Sequence, residues 1–118
     1  MPGKLIKQMP KRVKIGHMFF ETRAVGGDEA ESGGYLGSAN PAKGVILVRT
    51  DSLPTQQIAN TFLHEVMHCI HYVYGISPGE DTCTEEYYTT FTTNGLCAFW
   101  MDNPKAADWF SAMMRFGA

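Results

Sequence analysis

Residues 54–75 read PTQQIANTFLHEVMHCIHYVYG, and the arrangement of the rest of the chain follows from them. Proline is favoured in the first turn of a helix and glycine just after the last turn, so these residues predict one long helix that ends near Tyr74. One face of this helix is apolar and carries Ile58, Phe62, Val66, Cys69, Ile70 and Val73. A polar face lies roughly opposite and carries Gln57, Thr61, His64, His68 and His71. We therefore expect a central helix whose apolar face packs into the core while its histidines line a cleft.

The segment His64-Glu65-Val66-Met67-His68 has the HExxH pattern of zinc sites. Histidines four residues apart differ by about 40° around a helix and by ~6 Å along its axis, so both imidazoles can bind one tetrahedral zinc ion at about 2.0–2.1 Å. Glu65 then lies beside the metal, where its carboxylate can take a proton from the zinc-bound water. We predict one Zn²⁺ bound by His64 and His68, with Glu65 as the general base. The alternative is a metal-free structural helix whose histidines only satisfy hydrogen bonds.

A catalytic zinc ion usually has three protein ligands, so a third must come from elsewhere in the chain. Glu85 and Glu86 stand at the start of a second predicted helix. Because Glu85 shares a helix face with Tyr88, we expect Glu85 to point inward and to be the third ligand, with Glu86 as the second choice. The alternative role of Glu85 is structural, since residues 82–85 have the pattern of a helix capping box.

Four further side chains are predicted to lie at the rim of this site. His71 is two turns from His64, or ~10 Å along the axis, so we expect it to lie beside the ion rather than to bind it. A tyrosine hydroxyl near the helix can donate a hydrogen bond to a reaction intermediate, although simple aromatic packing is the alternative. The rim candidates are His71, Tyr72, Tyr74 and Tyr87.

The segments around the central helix predict an α+β domain. Strand patterns mark residues 12–24, 35–39 and 45–50. Helix patterns mark residues 82–101 and 105–115, and Asn103-Pro104 is expected to begin the second of these helices. The glycine-rich, acidic residues 26–34 are expected to form a loop. We therefore expect a small three-stranded sheet of antiparallel type, followed by the HExxH helix and two further helices.

Composition narrows the class of protein. The chain has 118 residues, of which 44% are hydrophobic and 19% are charged, so we expect a single domain over residues 1–118 with a flexible basic arm at 1–11. The net charge of −2 gives no electrostatic basis for binding nucleic acid. No apolar run approaches ~18 residues, so we expect neither a membrane span nor a signal peptide. Three cysteines without a CxxC pair favour free thiols in a reducing cytoplasm.

Beyond these patterns, the chain resembles a family of small zinc metallopeptidases of phages and bacteria. The likeness rests on residues 13–16, 37, 45–48, 61–65, 74–75, 102–104 and 109. That family is similar to a minimal gluzincin and distantly to SprT-like proteins, and its order is a short sheet, the HExxH helix and a helix that supplies a glutamate. The resemblance implies a zincin-like fold and a zinc ion held by His64, His68 and a glutamate. The threonine-rich residues 89–93 and the adjacent pair Glu85 and Glu86 depart from the pattern of this family, and the pair leaves two choices for the glutamate ligand.

Together these features predict a hydrolase, namely a zinc-dependent metallopeptidase in the cytoplasm of a bacterium or of a phage-infected cell. Its partner would be a peptide or protein substrate, bound by strand addition along an exposed edge at residues 45–50. The alternative, from a different class, is a non-catalytic zinc domain that binds a partner protein and uses the same ligands.

Overall fold

The computed structural model describes residues 2–27 and 35–116, so most of the predicted loop at 26–34 lies outside the described residues. The elements are α1 (Pro2–Lys7), β1 (Arg12–Ile15), β2 (Met18–Val25), β3 (Gly37–Asn40), a 3-10 turn (Pro41–Lys43), β4 (Val45–Arg49), α2 (Thr55–Tyr74), α3 (Glu85–Asp102) and α4 (Pro104–Phe116). The strand order is β1-β2-β4-β3. The α+β class is confirmed. The expected three-stranded antiparallel sheet is wrong, because the sheet has four strands and β2 pairs with β4 in parallel.

The first predicted strand, residues 12–24, is two strands joined by a tight turn. Ile15 pairs with Met18 across Gly16 and His17, and Gly16 has a φ of 58°. A positive φ at only the first of two central residues is typical of a type II′ hairpin turn, which favours glycine there. The apolar alternation continues through both strands, so the sequence pattern does not reveal the break.

β2 connects the two halves of the sheet. Its first half pairs with β1, and Glu21–Val25 pair in parallel with β4. β4 in turn pairs with β3 on its other side. The prediction of a free edge at residues 45–50 is therefore wrong, since β4 is an interior strand and β3 forms that edge of the sheet.

The long central helix is confirmed as α2. It ends at Gly75, which has a φ of 68°, and the N–H of Ile76 donates to the His71 carbonyl at 2.8 Å. The predicted apolar face is in the core: Ile58, Phe62, Val66, Cys69 and Ile70 are each 0% exposed. Full burial of one such side chain contributes ~1.5–3 kcal/mol, so this face fixes how α2 is rotated against the sheet.

Asn103 ties the last two helices to the sheet. α4 begins at Pro104 as expected, but the Asn103 side chain bonds to β1 rather than capping α4. Its Oδ1 accepts from the Lys14 N–H at 2.9 Å, and its Nδ2 donates to the Lys14 carbonyl at 2.7 Å. The amide therefore pairs with β1 as a neighbouring strand would. None of the described helices is both long enough and apolar enough to cross a lipid bilayer.

The N-terminal residues expected to form a flexible arm are folded. Residues 2–7 form α1, and Met9 is buried in the core at 6% exposure. The indole N–H of Trp109 donates to the Leu5 carbonyl at 2.9 Å. The arm prediction is wrong for these residues, because Leu5, Ile6 and Met9 supply an apolar face between the lysines.

Gly95 allows α3 to approach α2 closely, and we predict that Gly95→Ala destabilises the protein. A Cβ at position 95 would lie 2.6 Å from Ile70 Cγ2 and 3.2 Å from the Tyr74 ring. Alanine ordinarily stabilises a helix interior by about 0.5–1 kcal/mol relative to glycine, but overpacking costs about 1–3 kcal/mol. The free energy of unfolding in urea should therefore fall by about 1–2 kcal/mol. Gly3→Ala is the control, since nothing lies within 4 Å of a Cβ there. An equal gain in stability for both variants would contradict the close helix contact.

Candidate metal centre

His64 and His68 converge on one point outside α2. Both residues are exposed, and their Nε2 atoms are 3.2 Å apart with the rings at 73° to each other. Two nitrogens bound to one tetrahedral zinc ion at 2.0–2.1 Å are about 3.3 Å apart. The separation therefore matches a shared ion, and it also matches a hydrogen bond between the two rings.

Glu65 lies beside this pair but is shielded from solvent. Its residue exposure is 7%, whereas the two flanking ligand candidates are exposed. Burial raises the pKa of the Glu65 carboxyl above its ordinary value, and positive charge on His64 and His68 acts in the opposite direction. A carboxylate with a raised pKa is a better proton acceptor near neutral pH than a solvated one.

The edge strand β3 packs directly on this part of α2 because position 37 is glycine. A Cβ on Gly37 would lie 2.6 Å from Thr61 Cγ2, 2.8 Å from the Leu47 carbonyl oxygen and 3.4 Å from Glu65 Cγ. The strand backbone therefore covers the stem of the Glu65 side chain. The edge strand of the sheet thus runs next to Thr61 and Glu65.

A groove of about 260 Å³ lies between the residues that lead into β3 and the polar face of α2. Its walls are Tyr35, Leu36, Gly37, Gln57, Asn60, Thr61, His64 and Glu65. Sequence reasoning missed Tyr35, Leu36 and Asn60. Asn60 was detectable, because it precedes His64 by one helical turn. The other two follow from strand order, which no local pattern reveals.

The structure does not bring Glu85 to the histidines. α3 begins at Glu85, because the Thr84 hydroxyl accepts from the Tyr87 N–H at 3.1 Å and caps the helix. Glu85 and Glu86 therefore occupy the first turn, and both are exposed. The expected inward orientation of Glu85 and the capping box at residues 82–85 are wrong. Within residues 2–27 and 35–116, no three His, Cys, Asp or Glu side chains form a group that could hold a metal.

His71 connects the histidine pair to α3. Its ring centroid is 6.5 Å from that of His68 and 5.4 Å from that of Tyr88. Its Nε2 is buried without a hydrogen-bond partner among the described residues, and burial lowers the pKa of the imidazole. The His71 ring therefore lies between α2 and the start of α3, against the Tyr88 ring.

The three tyrosines predicted at the rim lie in different surroundings. Tyr72 is 53% exposed one turn beyond His68. Tyr74 packs between Gly16 and Gly95, and Tyr87 stacks on Phe91 with ring centroids 4.5 Å apart. Of the three, Tyr72 has the most exposed side chain.

Comparison of the chain with known protein families, characterised proteins and solved structures found no match. What the site does is therefore inferred from its own residues.

We predict that Gly37→Ala displaces β3 from α2. The added methyl meets a backbone oxygen of Leu47, which cannot rotate away as a side chain can, so the strand must shift at a cost of about 1–3 kcal/mol in unfolding free energy. Ser38→Ala, in the same strand, is the control, because its side chain is exposed and the change adds no atom. Urea unfolding measures both variants. Equal stability of Gly37→Ala and wild type would show that β3 does not pack on α2 at this point.

Proposed function

We propose that this chain is a zinc-dependent metallopeptidase with a zincin-like arrangement of its HExxH helix. The observation that carries the proposal is the 3.2 Å separation of the His64 and His68 Nε2 atoms, with Glu65 buried next to them. The resemblance to small phage and bacterial metallopeptidases supports the same reading. All three cysteines are free thiols, which supports action in a reducing cytoplasm.

Zinc held by the two imidazoles would lower the pKa of a water molecule toward about 7 and polarise a substrate carbonyl. Glu65 accepts one proton from the water as its oxygen bonds to the peptide carbon. Glu65 then donates that proton to the amide nitrogen as the carbon–nitrogen bond breaks, so the products are a carboxylic acid and an amine. The acid then releases its remaining proton to the amine or to solvent, which leaves a carboxylate. The burial of Glu65 and its raised pKa support both transfers.

Glu85 is the proposed third ligand, and Glu86 is the second choice. Glu85 precedes Tyr88 by three residues on α3, so the two side chains share a face of that helix. The Tyr88 ring contacts His71, which in turn lies next to His68. Glu85 is thus about one helical turn from Tyr88, which contacts a histidine on the polar face of α2. Because the structure leaves this carboxylate in the exposed first turn of α3, binding of the ion by Glu85 requires that turn to reorient.

The substrate is proposed to be an extended peptide that adds to the free edge of β3. β3 lies near His64, because Gly37 packs against Thr61 and Glu65, and Gly37 and His64 line the same groove. Backbone hydrogen bonds to an edge strand hold a peptide independently of its sequence. The adjoining groove, walled by Gln57 and Asn60, offers neutral hydrogen-bonding groups to one substrate side chain.

We predict that the purified protein binds about one zinc ion per chain and that His68→Ala abolishes this binding. His71→Ala is the matched control, since His71 is on the same polar face of α2 but is not among the proposed ligands. Zinc content after dialysis, measured by atomic emission, distinguishes them. Equal zinc in wild type and His68→Ala would contradict the site.

Because Glu85 and Glu86 are adjacent, a matched pair of variants can identify which of them is the third ligand. Glu85→Ala should weaken zinc affinity at least as much as losing an outer-shell partner does, roughly 10–100-fold. Glu86→Ala should leave the affinity within about twofold of wild type. Competition with a fluorescent chelator measures both values. The reverse order would identify Glu86 as the ligand, and no effect of either would exclude both.

Glu65→Gln tests the chemistry separately from the metal. This variant keeps the size of the side chain but removes the proton acceptor, so zinc should be retained while hydrolysis of a fluorogenic peptide library falls by about 10²–10⁴-fold. Undiminished cleavage by Glu65→Gln would refute the role of Glu65. Zinc bound by a wild-type protein that cleaves no peptide would instead support the non-catalytic zinc domain.

A further inference from the structure

The sheet has a second unpaired edge, on the C-terminal half of β2. β1 pairs only with residues 18–21, and no strand within the described part of the chain lies beside Thr22–Val25 on that side. On this side of β2, the last backbone hydrogen bond is the one that the Thr22 N–H donates to the Lys11 carbonyl, at 2.9 Å. Alternate residues of a strand direct their backbone groups to the same side, so the N–H and C=O of Ala24 face outward here.

A cavity of about 650 Å³ follows this edge. On the strand side it is lined by the four consecutive residues Glu21–Ala24, and on the other side by Ile6, Lys7, Met9 and Lys11. Consecutive strand residues point to opposite faces of a sheet, so a cavity lined by four in a row wraps around the edge. It is therefore shaped to receive a further strand.

Hydrogen-bonding capacity in this cavity is unused. The Thr22 side chain is 3% exposed, and its Oγ1 has no hydrogen-bond partner among the described residues. Buried polar atoms without a partner are uncommon in native proteins. This hydroxyl is enclosed beneath the edge, so the donor and acceptor that the edge offers to an incoming chain are the N–H and C=O of Ala24.

The charge around the cavity is positive, although the whole chain has a net charge of −2. Lys7 and Lys11 are exposed at its rim, and neither ammonium has an ion-pair partner among the described residues. The Arg23 guanidinium instead bonds the Glu21 carboxylate at 2.9 Å, so these two charges offset each other. Ile6 and Met9 add an apolar wall.

We propose that this edge of β2 is a docking site for an extended, acidic segment of a partner protein, bound by strand addition. The backbone of the segment bonds to Ala24, its apolar side chains meet Ile6 and Met9, and its carboxylates meet Lys7 and Lys11. The site is separate from the metal centre, because β3 lies at the opposite edge of the sheet. Its occupant therefore binds without entering the HExxH groove.

Two capped hexapeptides test this site by amide NMR on the full-length chain, one alternating valine with glutamate and the other alternating valine with lysine. The glutamate peptide should shift the resonances of Thr22–Ala24 and bind at least about tenfold more tightly than the lysine peptide. The double variant Lys7→Glu/Lys11→Glu should weaken its binding by about tenfold or more. Lys43→Glu/Arg115→Glu makes the same change in net charge at exposed positions away from the cavity and should change the affinity less than about twofold.

Ala24→Pro tests the strand pairing itself. Proline removes the one N–H proposed to donate to the segment, and edge strands tolerate proline, so binding should be lost while the thermal unfolding curve is retained. If this variant does not fold, the lysine variants still decide the question. Equal binding of the two peptides, or shifts at residues 37–40 instead of 22–24, would overturn the proposal. Concentration-dependent dimerisation abolished by Lys7→Glu/Lys11→Glu would also overturn it, by assigning the edge to a second copy of the chain.

Discussion

The contact between Gly37 and α2 is the constraint on which the candidate site depends. Only a residue without a Cβ lets the β3 backbone approach Thr61 and Glu65 this closely. That approach shields Glu65 from water while His64 and His68, one position before it and three after, remain exposed. The Glu65 carboxylate is shielded and the two imidazoles are exposed because β3 packs over α2 at Glu65.

α2 serves the core and the site at the same time. Its apolar face is buried without exposure at five positions, which fixes the rotation of the helix against the sheet. Because a helix is rigid, the same rotation directs His64 and His68 outward and brings Glu65 under β3. Packing energy from residues such as Phe62, which lies against Phe99 and Trp109, thereby holds the site residues in position. Substitutions deep in the core are expected to disturb the site through this helix.

Local patterns were sufficient for α2 and for the histidine pair. A helix with proline before it, glycine after it and one apolar face is specified by neighbouring residues, and so is the distance between histidines four residues apart. The strand order was not predictable in this way, because the parallel pairing of β2 with β4 joins residues 24 positions apart. The environment of Glu85 also escaped prediction. Two threonines, Thr82 and Thr84, were both suitable helix caps, and the chain uses the later one, which leaves Glu85 in the outermost turn. The helix α1 was not predicted, because its apolar residues Leu5 and Ile6 stand between lysines in the sequence.

X-ray absorption at the zinc K-edge of the zinc-loaded protein identifies the atoms around the ion directly. We expect two imidazole nitrogens at about 2.0–2.1 Å, completed by oxygen ligands and with no sulfur. Replacement of His68 by alanine should remove the bound zinc and with it the absorption edge. A sulfur contribution at about 2.3 Å, or a spectrum without imidazole scattering, would show that HExxH does not form the metal centre of this protein.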